Sequence, residues 1–165
     1  MPQPSLDLAL PQPLAGYRSP DDLMAAVFKA TRAARGTVHE IGLSVEGRPI
    51  HALELPAFSS SSRAVLWCAN IHGLEYIGAE VALEGICRSG PFDGGLGDVR
   101  RHANVWIIPC LNPDGYSRTW QQAGQGSLMA LRRNAAGVDL NRNFPRPSSR
   151  RAVRITLDGW RTGSD

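Results

Sequence analysis

The chain has 165 residues, 42% of them hydrophobic and 20% charged, which is ordinary for a soluble globular domain able to bury a core. No apolar run is long enough to span a bilayer, so a membrane-spanning class is excluded and no membrane partner is expected. The net charge of +3 is small and gathers late, at Arg132 and Arg133 and in "RPSSRRAVR" (Arg146 to Arg154). No aromatics interleave with these arginines, so a solvated loop is expected there and not a nucleic-acid surface.

In chain order, "MPQPSLDLALPQPLAG" carries four prolines in a short span, which disfavours a helix and predicts an extended arm over residues 1–18. It has no basic segment followed by an apolar one, so no export signal is read and a cytoplasmic location is the expectation. "SPDDLMAAVFKATRAARG" predicts a helix capped by Ser19, with Pro20 and two aspartates in its first turn and Gly36 at its end. "TVHEIGLSVEGRPIHALEL" predicts two strands around a turn at "VEGRP". "RAVLWCAN" is a nearly continuous apolar run, as in a strand buried on both faces.

A second helix is expected over "EYIGAEVALEGICRSG", then a glycine-rich connection, "PFDGGLGDVRRH". "NVWIIPCLNPDGY" reads as another buried strand entering a turn, and "RRNAAGVDLNRNFP" as an irregular stretch before the basic tail. Helices alternating with buried strands argue an α/β layered domain. Cys68, Cys87 and Cys110 are odd in number, lack CxxC spacing and lie among apolar residues, so buried reduced thiols are expected.

The chemistry concentrates in two places. In "NIHGLEYIGAE" (Asn70 to Glu80), His72 and Glu75 stand three residues apart where a buried strand gives way to a helix. Ligands collect at the carboxyl ends of strands in open α/β sheets. An imidazole and a carboxylate both suit zinc, whose catalytic sites usually have three protein ligands and a water. The same spacing also fits an ordinary histidine on an ordinary helix, and the pair alone does not decide between them. Further on, Asn141 and Arg142 offer amide and guanidinium donors that can clamp a carboxylate. Arg132 can stabilise a developing oxyanion, and Asp139 can hold the far nitrogen of a metal-bound histidine. Each arginine by itself reads equally as a solvated surface residue.

The ordered set "SVEGRPI", "NIHGLEYIG", "IIPCLNPDGY" and "RRNAAGVDLNRNFP" resembles the zinc carboxypeptidase family, including its bacterial members that trim cell-wall peptides. The resemblance covers roughly residues 37–145, and its last motif is the most specific. It implies a three-layer α/β/α fold with a central mixed, mostly parallel sheet, and a catalytic domain of which residues 19–165 are the N-terminal part. It implies zinc as cofactor and, as partner, a peptide with a free C-terminal carboxylate.

By the same resemblance, His72 and Glu75 are zinc ligands and Arg132 polarises the scissile carbonyl. Asn141 and Arg142 grip the terminal carboxylate, and Asp139 hydrogen-bonds the zinc-binding histidine. "NPDG" corresponds to a structural turn near the site. Leu74 stands where digestive members carry an arginine, a departure that leaves a secondary contact to longer peptides open.

The family also uses a third zinc ligand, a histidine downstream of "NRNF", and a later glutamate that activates water. This sequence has no histidine after His102 and no glutamate after Glu84. The chain is therefore expected to be an incomplete domain, inactive on its own, with an apolar strand edge left uncovered. Two alternatives use the same residues. One is a zinc deacylase of N-acyl amino acids; the other is a non-catalytic module that holds peptide C-termini.

Overall fold

The structure is a computed structural model that describes residues 14–144. The first helix, α1 (Pro20–Ala33), begins where its cap was expected: Ser19 Oγ accepts from the Asp22 N–H at 3.2 Å. It stops short of Gly36 because Arg35 takes a left-handed conformation, φ 58°. Strands β1 (Thr37–Leu43) and β2 (Pro49–Leu55) form an antiparallel hairpin around residues 44–48, with Gly47 at φ 77°. Strand β3 (Ala64–Cys68), helix α2 (Tyr76–Cys87), a short helix α3 (Leu96–Arg100) and strand β4 (Asn104–Ile108) follow. Then come α4 (Pro113–Gln121), α5 (Leu128–Arg132) and one 3-10 turn, Leu140–Arg142.

The strand order is β1-β2-β4-β3. Here the structure corrects the expected mostly parallel sheet. The sheet is mixed, but β1–β2 and β2–β4 are antiparallel, and only β3–β4 is parallel. The reason is connection length. The short turn between β1 and β2 permits only an antiparallel pair, whereas residues 69–103 supply the helical crossover that a parallel pair requires.

Alternation along β2 and β4 sends side chains to two faces. Leu53, Leu55, Val105 and Ile107, all fully buried, meet Leu23 and Val27 of α1, Ala79, Leu83 and Ile86 of α2, and Tyr116 of α4. Burial of each large side chain contributes roughly 1.5–3 kcal/mol. A smaller cluster on the opposite face gathers Ala52, Ile108 and Leu111, with Ile50, Ile71 and Trp106 against it.

A second correction concerns β3. Among the described residues it pairs only with β4, so it is an edge strand, and Val65 and Leu66 are 45% and 58% exposed. An apolar run of this kind was read as buried on both faces; it is uncovered because no described strand lies beyond it. Cys68 and Cys87 are likewise exposed, and only Cys110 is buried.

Of the expected arm over residues 1–18, residues 1–13 lie outside the described part, as does the basic tail. The Tyr17 N–H closes a turn on the Leu14 carbonyl at 3.0 Å, and its ring meets Tyr76 at 5.4 Å. Among the described residues no helix is long and apolar enough to cross a membrane. "NPDGY", expected as a turn, opens α4: Asn112 Oδ1 caps the helix by accepting from the Gly115 N–H at 2.9 Å, and Pro113 occupies the first turn.

The thiols give a direct check on this burial pattern. Burial pushes Cys110 up to about 12, and partial desolvation by neighbouring residues raises the more exposed Cys68, which lowers the thiolate fraction that reacts at neutral pH. Alkylation of the native protein at pH 8, read by mass spectrometry, is expected to modify Cys87 and, more slowly, Cys68. Cys110 should label only after denaturation, and rapid native labelling of it would contradict the packing.

Candidate active site

The site is built where β3 and β4 end side by side. Backbone pairing continues past both strands: the Ala69 N–H reaches Ile108 O at 2.8 Å, Leu111 N–H reaches Ala69 O at 3.1 Å, and Asn112 N–H reaches Asn70 O at 3.1 Å. Asn112 Nδ2 donates to Ile71 O at 3.3 Å, so one side chain ties together both exits. Asn70 then turns the chain in a left-handed conformation, φ 49°. Its Oδ1 accepts from the Cys110 thiol at 3.1 Å.

Gly73 passes against Gly115 so closely that a Cβ on it would lie 2.4 Å from the Gly115 carbonyl group. This contact requires glycine and directs the preceding residue, His72, into the protein, where it is 3% exposed. Glu75 occupies the cap position of α2, where a carboxylate is favoured by the positive end of the helix. Its Oε1 lies 2.6 Å from His72 Nδ1.

The second half comes from the segment after α4. Asp139 caps the 3-10 turn, accepting from the Asn141 N–H at 3.0 Å, and places the same Oδ1 3.1 Å from His72 Nε2. One Arg132 nitrogen, Nη2, lies 3.2 Å from Asp139 Oδ2 and 3.1 Å from His72 Nε2. Partial desolvation raises the Asp139 carboxyl, but hydrogen bonds from His72, Arg132 and the Asn141 N–H outweigh it and hold the group below the usual carboxylate range. Asp139 is therefore ionised at neutral pH.

A neutral His72 ring can carry its proton on either nitrogen. With the proton on Nδ1, that nitrogen donates to Glu75 and Nε2 accepts from Arg132. With the proton on Nε2, it donates to Asp139, Arg132 keeps its bond to Asp139 Oδ2, and Nδ1 and the Glu75 carboxylate face each other as two lone-pair donors. That second pattern is stable only with positive charge between them, and an imidazole nitrogen with a carboxylate oxygen is a donor pair that zinc takes. Among the described residues no set of three His, Cys, Asp or Glu side chains is arranged to hold a metal ion.

Four of the six residues singled out from the sequence thus converge: His72, Glu75, Asp139 and Arg132. Asn141 and Arg142 stand exposed on the 3-10 turn. Among the described residues the Asn141 side chain has no hydrogen bond, and Arg142 reaches only the Asn141 carbonyl, at 3.4 Å.

Sequence reasoning missed the supports. Asp114 of "NPDG" is buried and accepts from Ser44 Oγ at 2.6 Å, the Glu46 N–H at 3.2 Å and Arg48 Nη1 at 2.7 Å. This joins the "SVEGR" turn to the start of α4. The signal was present as two of the resemblance motifs, with nothing in one dimension to show that they touch.

The family model described as zinc carboxypeptidase matches residues 24–156. The chain belongs to the zinc carboxypeptidase family. The human carboxypeptidase N catalytic chain is 36% identical over 140 residues, covering 76% of this chain and 30% of that protein. Carboxypeptidase SOL1 of Arabidopsis thaliana is 32% identical over 152 residues, covering 87% of this chain and 28% of its own length. The chain thus spans less than a third of either relative.

Among solved structures, carboxypeptidase A from Helicoverpa armigera superposes with a TM-score of 0.62 at 25% identity, over 81% of this chain and 35% of that one. A metallo-carboxypeptidase from Burkholderia cenocepacia gives 0.59 at 26% identity, over 76% and 32%. These matches support the α/β/α architecture expected of a zinc carboxypeptidase, with the mixed sheet described above.

The Gly73 contact is testable by stability. Gly73→Ala drives a methyl into backbone that cannot yield as a side chain would, and is expected to cost about 2–3 kcal/mol in urea unfolding. Gly42→Ala, with nothing within 4 Å, should stay within about 0.5 kcal/mol. Equal effects of the two substitutions would remove the special status of the Gly73–Gly115 approach.

Proposed function

We propose that this chain carries the metal-binding and carboxylate-binding part of a zinc-dependent carboxypeptidase that releases C-terminal residues from peptides. The observation that carries the reading is the convergence of His72, Glu75, Asp139 and Arg132 from two separate motifs on one point. His72 Nδ1 and the Glu75 carboxylate would hold the zinc, with Asp139 keeping the proton on His72 Nε2. When bound, zinc supplies Lewis acidity toward a carbonyl and lowers the pKa of water.

The remaining work falls to side chains with unspent donors. With the proton on His72 Nε2, Arg132 engages only Asp139 Oδ2, through Nη2. Its Nε and Nη1 have no partner among the described residues and are available to an oxyanion that forms as the amide carbon becomes tetrahedral. Arg142 and the Asn141 amide, exposed two and three residues beyond Asp139, present a fork suited to a terminal carboxylate. A carboxylate held there fixes which amide bond meets Arg132, and that positioning makes the cleavage exo- rather than endo-acting.

The test uses the complete gene product with peptides bearing free or amidated C-termini. Cleavage is expected only with the free carboxylate, with loss on zinc chelation and return on adding zinc. Arg142→Ala should raise KM at least about tenfold with a smaller change in kcat. Arg132→Ala should lower kcat by roughly two to three orders of magnitude. Equal cleavage of amidated peptides would defeat the carboxylate clamp, and turnover of N-acyl amino acids in place of peptides would move the activity to the deacylase alternative. Calorimetry on the 165-residue chain should show weak zinc binding from two donors, abolished in His72→Ala.

A further inference from the structure

We infer that Arg118 is a positioning residue for Arg132, an inference that rests on the carboxypeptidase reading above. Arg118 lies late in α4, outside every motif that marks the site. Its guanidinium leaves the helix and crosses to the segment that carries Arg132. Nη2 donates to the Ala130 carbonyl at 2.8 Å and to the Arg133 carbonyl at 2.6 Å, and Nη1 reaches Asn134 O at 3.4 Å. These carbonyls flank Arg132 on both sides.

The segment needs such a clamp. Helix α5 has only five residues, Ser127 Oγ caps its start at 3.3 Å, and Leu131 is its one buried side chain. Its last carbonyls have no helical partner, and a guanidinium is the side chain best suited to span several at once. The Asn134 turn carries the restraint onward. Asn134 N–H donates to Val138 O at 3.0 Å and its Oδ1 accepts from the Val138 N–H at 2.9 Å, directly before Asp139. Arg118 therefore anchors the stretch that delivers both Arg132 and Asp139 to His72, while His72 and Glu75 are set independently by the sheet.

A positioning role differs from general support in what it is coupled to. Arg118→Met keeps the aliphatic stem and removes the donors; Arg118→Lys keeps the charge but cannot bridge three carbonyls, and serves if the Met variant is too unstable. In the complete, zinc-loaded gene product, Arg118→Met is expected to lower kcat about 10- to 100-fold with KM within about threefold. In an Arg132→Ala background the same substitution should add less than about threefold, because the group it positions is already gone.

Zinc affinity should be unchanged. A loss of equal size in both backgrounds, or a fall in zinc affinity matching the fall in kcat, would overturn the proposal. So would no loss at all.

A second readout needs no activity. In the 165-residue chain, the Arg132 guanidinium NMR signal should move in Arg118→Met to the averaged position of a free arginine, while Arg88→Met leaves it in place. An unmoved Arg132 signal would also overturn the inference. If the wild-type enzyme cleaves no peptide while this signal moves as expected, the carboxypeptidase reading fails and the clamp stands.

Discussion

The backbone of Gly73 lies against the backbone of Gly115, and the arrangement of the site follows from that contact. It joins the exit of β3 to the first turn of α4, two points more than forty residues apart in sequence, at a distance where no Cβ fits. With the strand exits bridged by Asn112 and the turn made by left-handed Asn70, the residue before the glycine has one direction open to it, inward. That residue is His72. Glu75 follows at the cap of α2, so the imidazole and the carboxylate meet because the crossing of two chain segments leaves them no other place. A side chain at position 73 would alter the His72–Glu75 pair without touching either member.

The other half of the site is held differently. Arg132, Asp139, Asn141 and Arg142 lie on a stretch with one five-residue helix and one 3-10 turn, and few of its side chains are buried. Polar contacts replace packing there: Asp139 to the Asn141 N–H, Asn134 to Val138, and Arg118 to three carbonyls. Segments of this kind open at lower free energy than core strands. The division suits the proposed chemistry. The metal-ligand candidates are fixed by the packed sheet, and the groups proposed to meet the substrate terminus and the developing charge are positioned by hydrogen bonds instead.

The candidate site was legible in the sequence chiefly through the order of the motifs that resemble the zinc carboxypeptidase family. A histidine and a carboxylate at the end of an apolar strand, and paired asparagine and arginine in an irregular stretch, stand out without any structure. Direction and cover are another matter. The expectation of a mostly parallel sheet rests on the family resemblance, although the "VEGRP" turn by itself implies an antiparallel hairpin. The burial expected of "AVLWC" depended on neighbours that its own residues cannot specify, and Val65 and Leu66 stand exposed among the described residues. The "NPDG" segment misled for a subtler reason: the asparagine and proline that favour a turn are the same residues that cap and start a helix.

Two arginines show how geometry separates structural from chemical roles when sequence cannot. Arg100 is 4% exposed and desolvated enough that its pKa is lowered. All three of its nitrogens are spent, on the carbonyls of Pro56, Ser89 and Ala34 and on Ser89 Oγ, with its carbon 4.5 Å from the centre of the Phe58 ring. Buried with each nitrogen engaged, it is not presented to a ligand. Among the described residues Arg132 spends one nitrogen, on an ionised aspartate beside a histidine, and keeps the rest. A buried cation with every nitrogen engaged rigidifies a fold, while a partly buried cation with donors in reserve next to a candidate metal ligand is arranged to meet charge that is not yet there. Arg118 belongs with Arg100 by its carbonyl partners and with Arg132 by what those carbonyls carry, and that places its effect on the position of a neighbour rather than on any ligand.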